Sequence, residues 1–370
     1  MRQPTIKPHR PDYQLALVVF TLLIIGIVLI SSASVVVSYT LFGTSTYYLK
    51  RQIIAVVAGI LCWLICQNID YHFWKKLAFP LLIFTIILLI LVFVPGIGIS
   101  YGGATRWINF RLFSLQPAEL CKLFFILYLA LWLEKRQDTV KSFVYGFLPF
   151  IILCAFIALL IIAQPDMGTM FIILLTGSIM FFTAGANILH IILMMGGGFI
   201  FLWGLIKIAP YRLARLTAWL NPKTDISGIG YHINQALIAI GSGGLLGLGF
   251  GLSRQKYNYL PEVVGDSIFA VIAEELGFIK SIFLILLFIF LAYRGYKIAQ
   301  KAPDTFGRLV ATGIVSWLVF QAIINIGAML GLLPLTGIPL PFISYGGSAI
   351  VITLGAIGIL MNISKQTIRD

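Results

Sequence analysis

The sequence contains few charged side chains. They make up 11% of the 370 residues, whereas an ordinary soluble domain contains roughly 25%. The hydrophobic share is 60%, and the mean hydropathy is +1.00. So much apolar surface cannot be buried in one or two water-soluble cores, and the same composition excludes a disordered chain and a disulfide-rich secreted scaffold. The composition therefore predicts an integral membrane protein.

Cysteine and histidine are also scarce, with four residues of each. All four cysteines lie in apolar runs, and none belongs to a Cys-x-x-Cys motif or to a His/Cys cluster. We interpret Cys62, Cys66, Cys121 and Cys154 as small buried apolar side chains and not as metal ligands or disulfide partners. Nothing in the sequence indicates an organic cofactor.

Acidic residues are half as frequent as basic ones: 13 Asp and Glu stand against 26 Lys and Arg, for a net charge of +13. The basic residues form no long run and lie between the apolar segments. This distribution is typical of membrane-protein loops and does not indicate binding to nucleic acid.

Long apolar runs dominate the rest of the chain, and a membrane-spanning helix needs about 20 such residues. The sequence predicts an all-α polytopic membrane protein that forms one domain over 1–370, with about ten transmembrane helices. The predicted spans lie near 14–37, 52–68, 77–95, 118–133, 143–163, 167–184, 188–208, 267–293, 309–330 and 342–363.

The loop charges predict the orientation. With the N-terminus in the cytoplasm, 14 of the 26 Lys and Arg residues lie inside, nine outside and three within or at the ends of spans. We therefore predict an N-in/C-in protein with a cytoplasmic tail at 1–13. Two long external segments follow from this topology, one at 96–117 and a larger loop at 209–265 between helices 7 and 8. In the larger loop, Tyr231–Ile238 has the pattern of an interfacial helix, and the glycine-rich run Gly241–Gly244 indicates a flexible turn.

Five acidic residues lie at or inside the predicted spans, where an ionisable group is a functional-site candidate by default. They are Glu119, Asp166, Asp266, Glu274 and Glu275. Glu119 and Lys122 are three residues apart on one helical face and are expected to pair. Asp166 and Asp266 each precede a predicted span, so each is either a helix N-cap or a site residue. Glu274 and Glu275 point about 100° apart, so at least one is expected to be structural.

Three of these carboxylates, Glu119, Asp166 and Asp266, are predicted to lie at the same depth of the outer leaflet, beside Arg106 and Lys122. Arg binds phosphate through its planar fork, and Lys binds it as a point charge. Carboxylates and cations that converge at the outer membrane face suit a lipid with a phosphate-linked polar head. The residues alone do not identify a reaction.

Five motifs resemble those of one family, in order and with suitable spacing over nearly the whole chain. They are Gly103–Trp107 (Gly-Ala-Thr-Arg-Trp), Gln116–Lys122 (Gln-Pro-Ala-Glu-Leu-Cys-Lys), Gln164–Thr169 (Gln-Pro-Asp-Met-Gly-Thr), Leu260–Gly277 and Gly337–Ser348. The family is RodA/FtsW, the SEDS (shape, elongation, division and sporulation) proteins of bacterial cell-wall synthesis. Each motif alone is weak, but five in register are specific.

The resemblance implies a peptidoglycan glycosyltransferase in the bacterial cytoplasmic membrane. Such an enzyme polymerises lipid II into glycan strands by an inverting transfer that releases undecaprenyl pyrophosphate, and its partner is a class B penicillin-binding protein. The short tail and Gly337–Pro341 favour the elongation (RodA) type over the division type. The main alternative is a lipid II flippase, and a non-catalytic scaffold is a third reading.

The resemblance also implies roles for individual residues. Asp266 corresponds to the essential acid of the family, and we assign it as the general base. The remaining substrate-binding candidates are Arg106, Gln116, Glu119, Lys122 and Asp166, together with Arg51, Arg212 and Arg215 as outer charges. A divalent cation, Mg²⁺ or Mn²⁺, is compatible with the family and with the charge, and Asp166 or Asp266 would hold it.

The chain departs from the family pattern immediately before Asp266. The usual run is Pro-Glu, a variable residue and His-Thr before the acid, whereas this chain has Val264-Gly265 in place of His-Thr and Ser267 in place of the following aromatic residue. Asp266 keeps its position and loses neighbours that could orient it. How Asp266 is held is therefore a question for the structure.

Overall fold

The computed structural model describes residues 9–101, 104–110, 114–221 and 228–368. Most of the predicted tail at 1–13 lies outside the described residues, as do Gly103 of the first motif and positions 222–227 of the predicted large loop.

Helices account for most of the described chain, together with three short strands. The helices are α1 (Tyr13–Ala33), α2 (Val35–Phe42), α3 (Tyr47–Asn68), α4 (Tyr71–Leu91), α5 (Pro117–Lys135), α6 (Leu148–Ile162), α7 (Met167–Thr183), α8 (Ile188–Ile208), α9 (Pro210–Leu220), α10 (Ile229–Ser242), α11 (Ile268–Gln300), α12 (Thr305–Met329) and α13 (Gly347–Ser364). A π-helical turn, Phe143–Phe147, leads into α6.

Eight of the described helices are long and apolar enough to cross a membrane, which confirms a largely helical, multi-pass membrane protein. The other two predicted spans coincide with α5 and α7. Helix α5 carries charged residues at both of its ends, including Glu119, Lys122 and Glu134, and α7 is only 17 residues long. The number of ten spans and the N-in/C-in orientation remain predictions.

The prediction of a purely α-helical chain is wrong at one place, the segment between α4 and α5. Strands β1 (Gly98–Tyr101), β2 (Ala104–Asn109) and β3 (Ser114–Leu115) form an antiparallel sheet in the order β1-β2-β3. Short β-branched and aromatic runs pair readily as strands, but strands this short are not distinguishable from loop by their sequence. The sheet places Arg106 in β2.

The large predicted loop at 209–265 contains two helices. Helix α10 includes the predicted segment Tyr231–Ile238 and buries Ile233, Ala236 and Ala239, and it packs on α11. Helix α9 was not predicted. It follows α8 directly because Pro210 occupies its first turn, where proline needs no hydrogen-bond donor.

Helix α11 is interrupted at Gly277, which has φ +80° and ψ −179°. A Cβ at this position would lie 2.2 Å from Gly247 N, so only glycine fits. The glycine-rich segment 244–249 supplies the backbone partners that the interruption removes. Its hydrogen bonds are Leu248 N to Glu274 O (3.0 Å), Gly249 N to Glu275 O (3.0 Å), Phe278 N to Gly244 O (2.9 Å) and Ile279 N to Leu245 O (3.2 Å). Gly244, the last residue of the predicted flexible turn, is therefore tied to the interruption.

The most deeply buried helices are α12 and α13, and α13 packs along α3. Helix α8 is the opposite case, since His190 is its one buried side chain in the part of the chain that the structure describes. The connection between α12 and α13, residues 330–346, is not helical and crosses one end of this central pair. That connection contacts Arg215 through Leu335 O and the two residues before Asp266 through Ser344 and Tyr345.

Candidate active site

Asp266 lies immediately before α11, and it does not cap that helix. The N-cap is Ser267, and its side chain makes no capping hydrogen bond. The Oδ1 atom of Asp266 is buried and has no hydrogen-bond partner among the residues that the structure describes. The N-cap interpretation of Asp266 is therefore wrong, and its carboxylate is available for a ligand or a reaction.

Side chains and backbone of the α12–α13 connection hold the main chain around Asp266. Asn325 Nδ2 of α12 donates to Asp266 O (2.7 Å) and to Ile338 O (2.8 Å). Ser344 Oγ donates to Gly265 O at 2.7 Å, and the Tyr345 N–H donates to Val264 O at 2.8 Å. Three of these four contacts hold the backbone of residues 264–266, and none of them involves the carboxylate of Asp266.

The connection also passes directly beside the carboxylate. Gly337 has φ +71°, and a Cβ built there would lie 3.9 Å from Asp266 Oδ2. On its other side the connection packs against the start of α7, where a Cβ on Gly168 would lie 2.5 Å from Ile338 Cγ1. The residues before α7 and the residues before α11 therefore meet across the same segment.

The environment of Asp266 makes it a stronger base than an ordinary carboxylate. The pKa of Asp266 is raised to about 7, chiefly by burial and next by the nearby Glu262 carboxylate, although the backbone N–H groups of Asp266 and Ser267 and the charge of Arg215 lower it in part. The pKa of Glu262 is itself raised by burial. A carboxyl that titrates near neutral pH suits general-base chemistry.

Arg215 of α9 provides the positive charge that lowers the pKa of this carboxyl. Its Nη1 donates to Leu335 O at 3.2 Å. Burial lowers the pKa of Arg215 and the positive charge of Arg106 lowers it further, while Tyr211, Asp266 and Asp166 act in the opposite direction. Arg106, Arg215, Asp166 and Asp266 therefore form one electrostatic cluster, which we call the Asp266 cluster.

Arg106 and Asp166 meet at the break before α7. The Arg106 guanidinium donates to Gln164 O at 3.1 Å and to Pro165 O. Asp166 is the N-cap of α7 and accepts hydrogen bonds from Thr169 N at 3.1 Å and from Thr169 Oγ1 at 3.0 Å. Gln116 Nε2 also donates to Asp166, at 3.3 Å. Asp166 is thus a helix cap that also lies in the cluster.

Glu119 and Lys122 form the predicted pair, with 2.8 Å between Lys122 Nζ and Glu119 Oε1. The pair is deeply buried. Lys122 also donates to Gln321 Oε1 at 2.9 Å and lies over the Trp317 ring at 4.9 Å. Gln321 Nε2 in turn donates to Pro339 O at 2.8 Å, so the structure links Lys122 to the Asp266 cluster through the α12–α13 connection and not by direct contact.

The structure places Arg51 and Arg212 outside the Asp266 cluster. Arg51 stacks on Tyr47 at 4.8 Å and interacts with the Tyr345 hydroxyl. Arg212 is buried, and it donates to Leu205 O at 3.1 Å and to the Tyr211 hydroxyl at 2.9 Å. Of the three predicted outer charges, only Arg215 interacts with Asp266.

Both Glu274 and Glu275 are bound by protein groups. Glu274 accepts hydrogen bonds from the Ser253 hydroxyl and from Arg254 N (3.0 Å). Glu275 Oε1 pairs with Lys256 Nζ at 3.0 Å and accepts from Ser32 Oγ of α1 at 2.6 Å. These contacts tie the segment 253–256 to α11, so both acids have the structural role that was predicted for at least one.

Sequence reasoning missed the polar groups that orient the site. Asn325 and Gln321 are four residues apart on one face of an otherwise apolar span, which is a usable signal because amides in a membrane span need partners. His232 of α10, with its Nε2 2.6 Å from Ser267 Oγ, was also missed. No local sequence pattern connects His232 with Ser267.

The described residues contain no group of three His, Cys, Asp or Glu side chains placed to hold a metal ion. Asp266 offers a free carboxylate oxygen that a cation shared with a substrate could use. Asp166 offers less, because both of its oxygens already accept hydrogen bonds.

The sequence matches known proteins over almost its full length. The profile of the FtsW/RodA/SpoVE family, described as "Cell cycle protein", matches residues 13–369. Stage V sporulation protein E of Bacillus subtilis is 42% identical over 98% of this chain and 99% of that protein. The probable peptidoglycan glycosyltransferase FtsW of Trichlorobacter lovleyi is 42% identical over 97% of this chain and 95% of that protein.

Solved structures agree with the sequence matches. A structure described as "Structural coordination of polymerization and crosslinking by a peptidoglycan synthase complex" superposes with a TM-score of 0.80 at 28% identity, covering 97% of this chain and 99% of that chain. The rod shape determining protein RodA of Thermus thermophilus superposes with a TM-score of 0.71 at 28% identity, covering 97% and 98%. This chain, with its unbound Asp266 beside Arg106, Asp166 and Arg215, therefore belongs to the FtsW/RodA/SpoVE family of cell cycle proteins, the SEDS family.

Proposed function

We propose that this protein is a peptidoglycan glycosyltransferase that polymerises lipid II at the outer face of the bacterial cytoplasmic membrane. The observation that carries the proposal is the unbound, buried Oδ1 of Asp266, on a carboxyl whose pKa is raised to about 7. Relatives of 41 to 42% identity are named probable peptidoglycan glycosyltransferases, which supports the same activity here.

Asp266 is the general base of the proposed reaction. Its carboxylate takes the proton from the 4-hydroxyl of the acceptor sugar while that oxygen attacks the anomeric carbon of the donor. The bond between that carbon and the lipid pyrophosphate breaks, and undecaprenyl pyrophosphate leaves from the opposite side, so the configuration is inverted. A base with a pKa near the working pH is the most effective choice for such a proton transfer.

The leaving pyrophosphate needs positive charge where its own negative charge develops. Arg215 and Arg106 are the cations of the Asp266 cluster, and we assign them to the pyrophosphate. Lys122 and Glu119 are buried behind the α12–α13 connection. In the proposed mechanism this pair supports the connection through Gln321, and its contact with the substrate remains a prediction, as does contact of Gln116, Arg51 and Arg212.

A divalent cation is compatible with the proposed site. When bound, Mg²⁺ or Mn²⁺ would neutralise part of the pyrophosphate charge. Asp266 Oδ1 is the protein oxygen best placed to share such an ion with the substrate.

The proposed partner is a class B penicillin-binding protein. A structural neighbour with a TM-score of 0.80 is described as part of a peptidoglycan synthase complex that coordinates polymerization and crosslinking, which supports such a pairing. Similar proteins include FtsW, SpoVE and RodA, and we keep the elongation (RodA) type as a prediction.

The decisive experiment is glycan synthesis from labelled lipid II by the purified protein, with and without a class B partner. We compare the wild type with Asp266→Asn and with Glu134→Gln, a control that removes a carboxylate paired with Lys75 at 2.7 Å outside the Asp266 cluster. Long strands from the wild type and from the control, with none from Asp266→Asn, are the expected result.

The same samples test the flippase alternative. If the wild type and Asp266→Asn both move lipid II across vesicle bilayers and neither forms strands, the protein is a transporter and not a glycosyltransferase. Strands from Asp266→Asn would refute the role of Asp266 as the base.

A further inference from the structure

A histidine on α10 contacts the first residue after Asp266. His232 Nε2 lies 2.6 Å from Ser267 Oγ. The Ser267 side chain is fully buried, with 0% exposure, and the Ser267 N–H donates to Glu262 O at 3.2 Å. This contact joins α10 to the N-cap of α11, one residue from the proposed base.

His232 is neutral at physiological pH. The pKa of His232 is lowered to about 4, chiefly by burial and in addition by the positive charge of Arg215. The other charged groups around the site, Glu262 and Asp266, precede α11 on the same turn as Ser267. A neutral imidazole can bond to the hydroxyl without adding a second cation beside Arg215, and a second cation would weaken Asp266 as a base.

We propose that His232 is a positioning residue that acts through Ser267 to hold Asp266 in its reactive orientation. This inference rests on the proposed function. It also explains how the chain tolerates Val264-Gly265 in place of the usual His-Thr pair. The hydroxyl next to Asp266 stands at position 267, where the imidazole of α10 contacts it, and not among the two residues before Asp266.

The contacts that hold the main chain around Asp266 do not include the Ser267 side chain. Asn325, Ser344 and Tyr345 bind the backbone carbonyls of residues 264–266. None of these contacts restrains the Ser267 side chain, which makes no capping bond at the start of α11. The contact with His232 supplies that restraint, and small losses of alignment in a catalytic base lower kcat more than binding.

The test is a double-mutant cycle on lipid II polymerisation with His232→Ala, Ser267→Ala and the combined variant. Loss of one neutral buried hydrogen bond is expected to lower kcat about three- to tenfold, with KM for lipid II unchanged. Because both substitutions remove the same contact, the combined variant is expected to be no slower than the slower single variant.

Two further variants separate positioning from general loss of stability. His232→Gln keeps a side-chain group that can bond to Ser267 and is expected to restore kcat to within about twofold of the wild type. His190→Ala removes another buried histidine, at the start of α8, and is expected to reduce thermal stability without changing kcat. If His232→Ala does not fold, Ser267→Ala and His232→Gln carry the comparison.

The outcomes separate this inference from the proposed function. A wild-type kcat in His232→Ala or Ser267→Ala would refute the positioning role, as would effects on kcat that multiply in the combined variant. If Asp266→Asn is inactive in the same assay, the proposed function stands. Polymerisation by Asp266→Asn would remove the base itself, and the positioning role with it.

Discussion

Asp266→Asn is expected to have opposite effects on activity and on stability. The fold raises the pKa of Asp266 from the ordinary value of 3.8 to about 7, so folding favours the protonated form of this side chain. The resulting penalty is absent below the unfolded pKa, grows as the pH rises towards the folded pKa, and is constant above it. At about 1.4 kcal/mol per pH unit, the penalty on the free energy of folding is at most about 4 kcal/mol above pH 7 and at most about 2 kcal/mol at pH 5.

Asparagine is nearly the same size as aspartic acid and carries no charge, so the variant avoids this penalty. We therefore expect Asp266→Asn to be more resistant to thermal unfolding than the wild type at pH 8, and the difference to shrink at pH 5. The measurement is thermal unfolding of the detergent-solubilised protein at both pH values, with lipid II polymerisation followed on the same preparations.

Asp304→Asn is the matched control, because its electrostatics have the opposite sign. Burial alone would raise the pKa of Asp304, but hydrogen bonds from His72, from Tyr71 and from the Gly307 N–H lower it. This substitution is expected to reduce stability at pH 8. A wild type that is more stable than Asp266→Asn at pH 8 would refute the argument that the fold disfavours the ionised carboxylate.

Three other expectations follow from the same contacts. The rate of polymerisation is expected to fall about tenfold per pH unit below pH 7. Glu262→Gln is expected to move the midpoint of the pH–rate profile to lower pH, because it removes a carboxylate that raises the pKa of Asp266. An unchanged midpoint would contradict this effect of Glu262. Asn325→Ala leaves the carbonyls of Asp266 and Ile338 unpaired, which is expected to cost about 1–3 kcal/mol of stability and to lower kcat. Thermal unfolding measures the stability, and initial rates measure kcat. A fully active variant would show that the amide does not hold the site. Lys256→Met leaves the charge of the buried Glu275 uncompensated, which is expected to lower the free energy of unfolding by about 3–5 kcal/mol. The double variant Lys256→Met/Glu275→Leu is expected to recover part of this loss. Equal melting temperatures for the two variants would argue against a buried ionic pair.

The sequence indicated a candidate site because its polar residues are conspicuous in so apolar a chain. Glu119 and Lys122 were recognised as a pair from their spacing alone, and the structure confirms the contact. The position of Asp266 came from the family motif. Its freedom from any capping role did not, because whether Asp266 or Ser267 caps α11 depends on the backbone angles at one turn.

The sequence did not reveal what holds the site together. The contacts of Asn325, Gln321 and Ser344 end on backbone carbonyls, which every residue possesses, so no pattern of side chains marks those acceptors. Arg215 and Arg212 looked equivalent as loop charges. Both lie on α9, but their side chains contact different neighbours. Arg215 donates to Leu335 O, and Arg212 donates to Leu205 O.

The interruption at Gly277 divides α11 into two parts that differ in what satisfies their backbone groups. The part after Gly277, Phe278–Gln300, is about 23 residues or roughly 34 Å of helix, which is long enough to cross the apolar layer by itself. The part before it has backbone groups that are satisfied by the segment 244–249. The bilayer offers no water to replace those bonds. The part of α11 that follows Asp266 therefore depends on the preceding loop for its backbone hydrogen bonds, whereas the part after Gly277 has the length to span the membrane without it.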